Sequence, residues 1–124
     1  MNAITPLLTK WFDQMDGDSP DQVLDYITDD FHMSVVFSTG SDGSAADFSG
    51  DRNALVGYLD QRLKSVRTHH ILSAAKTGKD ELVVGEVRRD GVYEASFVAA
   101  ARVEEDGRAS RLLIGRAPGT KFGP

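Results

Sequence analysis

Three imidazoles and no thiol set the chemistry open to this chain: His32, His69 and His70 are present, and cysteine is absent. Disulfides, thiolate metal sites and thiol nucleophiles are thereby excluded. An imidazole works near neutral pH as a proton acceptor, and a carboxylate bonded to its other nitrogen fixes the tautomer and strengthens the base. Such a residue could draw a proton from a carbon beside a carbonyl, ending in loss of water or migration of a double bond. His69 and His70 are neighbours, so on a strand they point to opposite faces and cannot converge on one metal ion. No metal and no cofactor is assigned. Trp11, Phe37, Tyr58, Tyr93 and Phe97 are candidates for the wall of a substrate pocket. Ala99, in the run Ala99 to Ala101, is small enough to leave room for a ligand or for a closely packed helix.

These residues need elements to hold them. Thr5-Pro6 opens a helix with Thr as N-cap and Pro at the first position, and Leu7, Leu8, Trp11, Phe12 and Met15 recur at helical spacing up to Gly17. Ser19-Pro20-Asp21-Gln22 reads as a capping box for a second, short helix carrying Val23, Leu24 and Ile27. The period then changes to two: Phe31, Met33, Val35 and Phe37 alternate with more polar neighbours. Residues 39–50 read as a polar, glycine-rich loop, and a third helix is expected over roughly 51–66. Strand-like runs cover 69–76, 81–89, 92–103 and 109–117, separated by turn sequences such as Asp90-Gly91. Helices early and hairpin-linked strands late give an α+β fold, with three N-terminal helices on a curved antiparallel sheet. Residues 118–124, with two prolines and two glycines, read as a loosely held tail of a single domain over 1–124.

Composition narrows the partners. The net charge of −5 disfavours general nucleic-acid binding. Residues 1–60 hold eleven acidic and two basic side chains, and residues 61–124 hold eight and twelve. That division is either a solvated acidic helical layer or a pair of complementary faces in a homodimer. The start, MNAITPLLTKWFDQM, lacks the basic and apolar regions of a signal peptide, and no apolar run reaches the length of a membrane span. With the lack of cysteine, the expectation is a cytoplasmic protein with no membrane partner.

The order of elements, together with Asp16-Gly17-Asp18, Tyr26-Ile27-Thr28-Asp29-Asp30-Phe31 and Gly50-Asp51-Arg52-Asn53-Ala54-Leu55, resembles the SnoaL-like, nuclear transport factor 2-like superfamily over about residues 5–117. The resemblance implies a cone with a ligand pocket between helices and sheet. Ketosteroid isomerase chemistry is not expected, because Trp11 stands where those enzymes have a tyrosine, residues 31–40 hold no carboxylate, and the sheet position falls among Ala99 to Ala101. Epoxide hydrolase chemistry is not expected either, since residues 109–117 have no aspartate. The site pattern partly resembles scytalone dehydratase. Arg67-Thr68-His69-His70-Ile71 is similar to its strand motif and Trp11-Phe12-Asp13-Gln14-Met15-Asp16 to its first-helix motif. That likeness makes His70 the base and Asp16 its orienting partner. Asp13, one turn earlier on the same helix face, could replace Asp16 in that role. The substrate-binding tyrosines and the second histidine of that enzyme are unmatched here.

The resulting expectation is a protein that binds a small apolar or cyclic organic molecule and acts on it as a dehydratase or isomerase. A non-catalytic binding domain, and a dimer joined through the outer sheet face with Val98, Ala100 and Ile114 exposed, remain the alternatives. His69 and His32 then face outward. Glu86 and Arg88 share a strand face and can pair, and Arg116 reaches either the pocket mouth or a partner chain.

Overall fold

The computed structural model describes the backbone of residues 4–39, 44–61 and 66–124, and the side chains of these except 37–39, 44–46 and 61. Helix α1 (Pro6–Asp16) is followed by a 3₁₀ helix (Pro20–Tyr26), strands β1 (Ile27–Thr39) and β2 (Ser44–Asp51), helix α2 (Arg52–Gln61), and strands β3 (Arg67–Thr77), β4 (Asp80–Arg89), β5 (Val92–Val103) and β6 (Ala109–Ala117). The six strands form one sheet in the order β2-β1-β6-β5-β4-β3.

Strands β3 to β6 make the expected antiparallel meander. At the Asp90-Gly91 turn both residues take positive φ, 51° and 81°, as a tight hairpin requires. Two features differ from expectation. The sheet is mixed, because β1 lies parallel to β6. Part of the polar stretch read as a loop is strand β2, paired with β1 from His32 opposite Asp51 to Thr39 opposite Ser44. An edge strand needs no apolar alternation when its ladder supplies the backbone bonds, so the pattern of small polar residues concealed it. Helix α2 begins as expected, with the Asp51 side chain accepting from the Ala54 N–H at 3.0 Å. Leu63 lies outside the described residues.

Leu7, Leu8, Trp11 and Phe12 bury one face of α1 on the sheet, together with Phe31, Met33, Leu55, Val87, Phe97 and Leu112. The start of α1 is capped differently from expectation. Thr5 occupies the N-cap position but makes no side-chain bond there. The fully buried Glu81 of β4 instead accepts from the Leu7 N–H at 3.1 Å and the Leu8 N–H at 2.9 Å. Leu7 and Leu8 are buried against the sheet, and there a carboxylate at the positive end of the helix dipole satisfies two orphan donors at once. Ser19 likewise makes no side-chain cap, so the expected capping box is absent. The tail meets β5: the Thr120 carbonyl accepts from the Tyr93 and Ser96 hydroxyls. No described helix is long and apolar enough to cross a membrane.

Candidate functional site

Eleven residues of α1 run from the buried Glu81 cap to Asp16, a rise of about 16 Å. Asp16 thereby meets the start of β3. Its Oδ1 accepts from His69 Nδ1 at 2.8 Å, and its Oδ2 accepts from the His69 backbone N–H at 2.7 Å. One carboxylate thus holds both the strand and the ring. The Nδ1–H tautomer leaves the Nε2 lone pair available. Among the described residues, Nε2 has no hydrogen-bond partner, and no buried polar side-chain atom is left unsatisfied, so Nε2 meets solvent. The His69 side chain retains 17% of its exposure.

Packing fixes the ring as well. Phe12 stacks on His69 with centroids 4.7 Å apart and planes at 21°, and Phe97 meets it edge-on at 5.3 Å. Phe97 reaches across β4 because residue 85 is glycine: a Cβ there would lie 2.6 Å from the Phe97 ring.

This geometry corrects the expected dyad. His70 is opposite Glu86 in the β3–β4 register and faces outward, with Nε2 2.7 Å from the Thr68 hydroxyl. His69 is opposite Val87, which is fully buried, and cross-strand partners share a face. Asp16 therefore pairs with His69 and not with His70. Alternation within the strand carried the signal, since His69 shares parity with Ile71, which packs against the core. Asp13 is exposed. His32 faces outward as expected, 3.2 Å from the Asp30 carbonyl.

The expected pocket wall divides. Phe97 packs beside His69. Trp11, 1% exposed and tilted against Phe31 at 6.1 Å, is core with no surface for a ligand. Ala99 is buried between Val83 and Ile114 in the sheet. Tyr93 is a correction: its hydroxyl bonds Ser96 and the tail, which places it away from His69. Tyr58 stays partly exposed and packs on Phe48 at 5.0 Å. The Phe37 side chain is outside the described residues. Ile114 is buried on the inner face, so it does not belong to an exposed outer surface, whereas Val98 is exposed. Glu86 and Arg88 do pair, at 2.7 Å.

Sequence reasoning missed an ion pair at the start of β3. Arg67, two residues before His69 and hence on its face, donates to Glu94 through Nε at 2.6 Å and Nη2 at 3.1 Å. Those bonds hold the Glu94 carboxyl below its ordinary value and the Arg67 guanidinium above its own. Arg116, opposite Phe97 in the β5–β6 register, is half-buried on the inner side. Burial and then the charge of Arg67 push it below the usual guanidinium range.

No family model and no curated protein matches the chain. Solved structures do. A proposed isomerase of the SnoaL-like family from Agrobacterium tumefaciens superposes with a TM-score of 0.65 at 9% identity, over 91% of this chain and 96% of its own. IdmH, a proposed polyketide cyclase from Streptomyces antibioticus, gives 0.65 at 12%, over 93% and 92%. A proposed polyketide cyclase from Sinorhizobium meliloti gives 0.59 at 17%, over 88% and 93%. From α1 to β6, the chain has the SnoaL-like, nuclear transport factor 2-like α+β fold.

Proposed function

We propose that this chain binds a small, largely apolar organic molecule and acts on it by proton transfer, as a dehydratase or isomerase, with His69 as base and Asp16 as its orienting partner. The observation that carries this reading is the double hold of Asp16 on the ring and backbone of His69, which leaves Nε2 alone facing solvent. In the reaction, Nε2 takes the proton from a carbon beside a carbonyl, and the electron pair moves to the carbonyl oxygen as an enolate. The imidazolium then returns the proton at another carbon, or delivers it to a departing β-hydroxyl as water. Asp16 stabilises the imidazolium throughout, as an orienting carboxylate does in other His-carboxylate pairs. The isomerase and cyclase roles proposed for the similar structures agree with enolate chemistry. The lack of cysteine fits work in the cytoplasm.

Deuterium exchange into the α-carbons of cyclic ketones, followed by NMR in D₂O, tests the base without knowledge of the substrate. His69→Gln should abolish catalysed exchange and His70→Gln should leave it intact. Exchange that survives His69→Gln, or is absent from the unaltered protein, removes the catalytic reading and leaves a binding domain.

A second reading, association of two copies, is favoured by the outer sheet face. Val36, Val98 and Leu113 are each more than half exposed there. Leu82, Ala100 and Leu113 floor a shallow groove of about 470 Å³ whose rim includes Asp80, Arg102 and Arg111.

A further inference from the structure

Residues 118–124, whose composition suggests a loosely held tail, lie instead across the outer face of three strands. On β5 the Thr120 carbonyl accepts from the Tyr93 hydroxyl at 3.1 Å and from the Ser96 hydroxyl, and the two hydroxyls stand 2.9 Å apart. Lys121 Nζ lies 5.5 Å from the centre of the Tyr93 ring, within reach of a cation–π contact. Gly123 meets both β4 and β3: a Cβ there would lie 2.9 Å from Glu86 Oε1 and 3.6 Å from Leu72 Cδ1. A carboxylate on an outer sheet face is ordinarily solvated. Glu86, beneath this segment, is only 5% exposed.

The segment crosses the sheet directly behind the proposed base. Ser96 is opposite Glu86, and Glu86 is opposite His70. The residues beside them in sequence, Phe97, Val87 and His69, point inward. Strand β3 is an edge strand with β4 alone as its ladder partner. Between Ile71 and Ser73 its register slips, which leaves Leu72 as an extra residue. Such a bulge bends its strand and re-aims the side chains near it. The stretch that carries His69 is therefore joined to the rest of β3 through a bulge, and Leu72, at that bulge, is where Gly123 rests. Asp16 holds the stretch from the inner side, and the segment braces it from the outer side.

We propose that residues 118–124 are a strap that positions His69, with Tyr93 and Ser96 as the positioning residues that fasten it. The strap ties β5 to the bulge of β3 and keeps the His69 ring at its bond to Asp16. None of its contacts reaches the inner face, so it acts only through the strands. The consequence for turnover rests on the proposed role of His69 as base, whereas the hold on the ring does not.

The test unfastens the strap in the full chain with the double variant Tyr93→Phe, Ser96→Ala, which removes both hydroxyls that the Thr120 carbonyl accepts from and takes nothing from the inner face. Circular dichroism confirms that it folds. The backbone amides of Lys121 and Gly123 should lose order in ¹⁵N relaxation. The His69 ring nitrogens should move from the pure Nδ1–H pattern toward an average of both tautomers, which a loss of stability alone would not produce in the folded protein. Catalysed deuterium exchange should fall about ten- to a hundredfold, the scale of a misplaced catalytic group. If the double variant does not fold, Tyr93→Phe alone carries the same comparison with a smaller change. A strap that stays ordered without its two hydroxyl donors, or a freed strap beside unaltered ring signals, overturns the inference. Ring signals that shift when the strap is freed, in a protein whose unaltered form catalyses no exchange, leave the strap standing and remove only the proton-transfer reading.

Discussion

Asp16 bonds His69 twice, so replacing it by asparagine separates two effects. The amide oxygen can still accept the backbone N–H, but its NH₂ group now faces Nδ1 and donates to it. The imidazole must then carry its proton on Nε2, where the lone pair of the base should be. We expect Asp16→Asn to shift the His69 ring nitrogens to the Nε2–H tautomer in ¹⁵N NMR and to lower catalysed exchange by a factor on the order of 10²–10⁴. An unchanged tautomer contradicts the assignment. Glu94 provides a pH dependence with a definite sign. Its carboxyl is held below 4.5 chiefly by the bonds from Arg67. A depressed carboxylate contributes stability that is present above its unfolded value and is lost as pH falls through the folded one. The stability difference between the protein and Glu94→Gln should be largest near neutral pH and should shrink below about pH 4.5 in urea titrations. At this scale the sequence could be read for residue type more easily than for direction. Asp16 and a β3 histidine were legible as partners, but one step along a strand exchanges the faces, and motif similarity placed that step on His70 instead of His69.

Helix α1 is held by a different strand at each end, through Glu81 of β4 at its start and His69 of β3 at its finish. The geometry of the dyad therefore depends on a residue about one helix length away. Glu81→Ala leaves two buried N–H groups without an acceptor and removes a charge-assisted pair of bonds. We expect a loss on the order of 3 kcal/mol in chemical denaturation. At concentrations of denaturant that leave the protein folded, reduced exchange protection at Leu7 and Leu8 should accompany it. Gly85 is the second positioning element. A methyl group there meets the His70 backbone carbonyl first and the Phe97 ring next, so Gly85→Ala should cost about 1–3 kcal/mol or more, pushing β3 away from β4 and altering the aromatic near-ultraviolet signal as Phe97 is displaced from His69. Both features lay beyond sequence reading, and for the same reason: each joins segments some seventy, or about twelve, residues apart through a pairing that only strand register reveals. Local signals fared better. The Asp90-Gly91 turn, the start of α1 and the alternating runs of β4 and β5 follow from patterns a few residues long. β2 did not, because its side chains are small and polar and its neighbour β1 supplies the reason for its conformation.

For the molecule as a whole, the uneven charge along the chain divides over two surfaces. Much of the basic half lies on strands, and part of it gathers near His69 on the inner side. The outer side has its own pairs, such as Arg102 with Asp80 at 2.9 Å, beside an apolar strip of Val36, Val98, Leu82 and Leu113. Leu113, Ala100 and Leu82 lie opposite one another across β6, β5 and β4, and Val98 lies opposite Val84 one rung away. An exposed apolar surface this continuous on a small domain marks an interaction site. We propose that a second copy covers it, because two such faces are apolar at the same rungs and a two-fold axis brings like patch to like patch. Burial of about 800 Å² per partner is the usual requirement for a stable pair, and a six-stranded face offers a surface of that order. The chain should then sediment at twice 13.5 kDa at micromolar concentration. Leu113→Glu, at a side chain 58% exposed, should change monomer stability by no more than about 0.5 kcal/mol while returning the protein to a single-chain mass. The same substitution should leave His69 untouched, since it lies on the opposite face of the sheet, so the exchange reaction would report whether pairing matters to the site. A single-chain mass for the unaltered protein at 100 µM, on the order of a weak dimer's dissociation constant, would show that the strip serves another purpose.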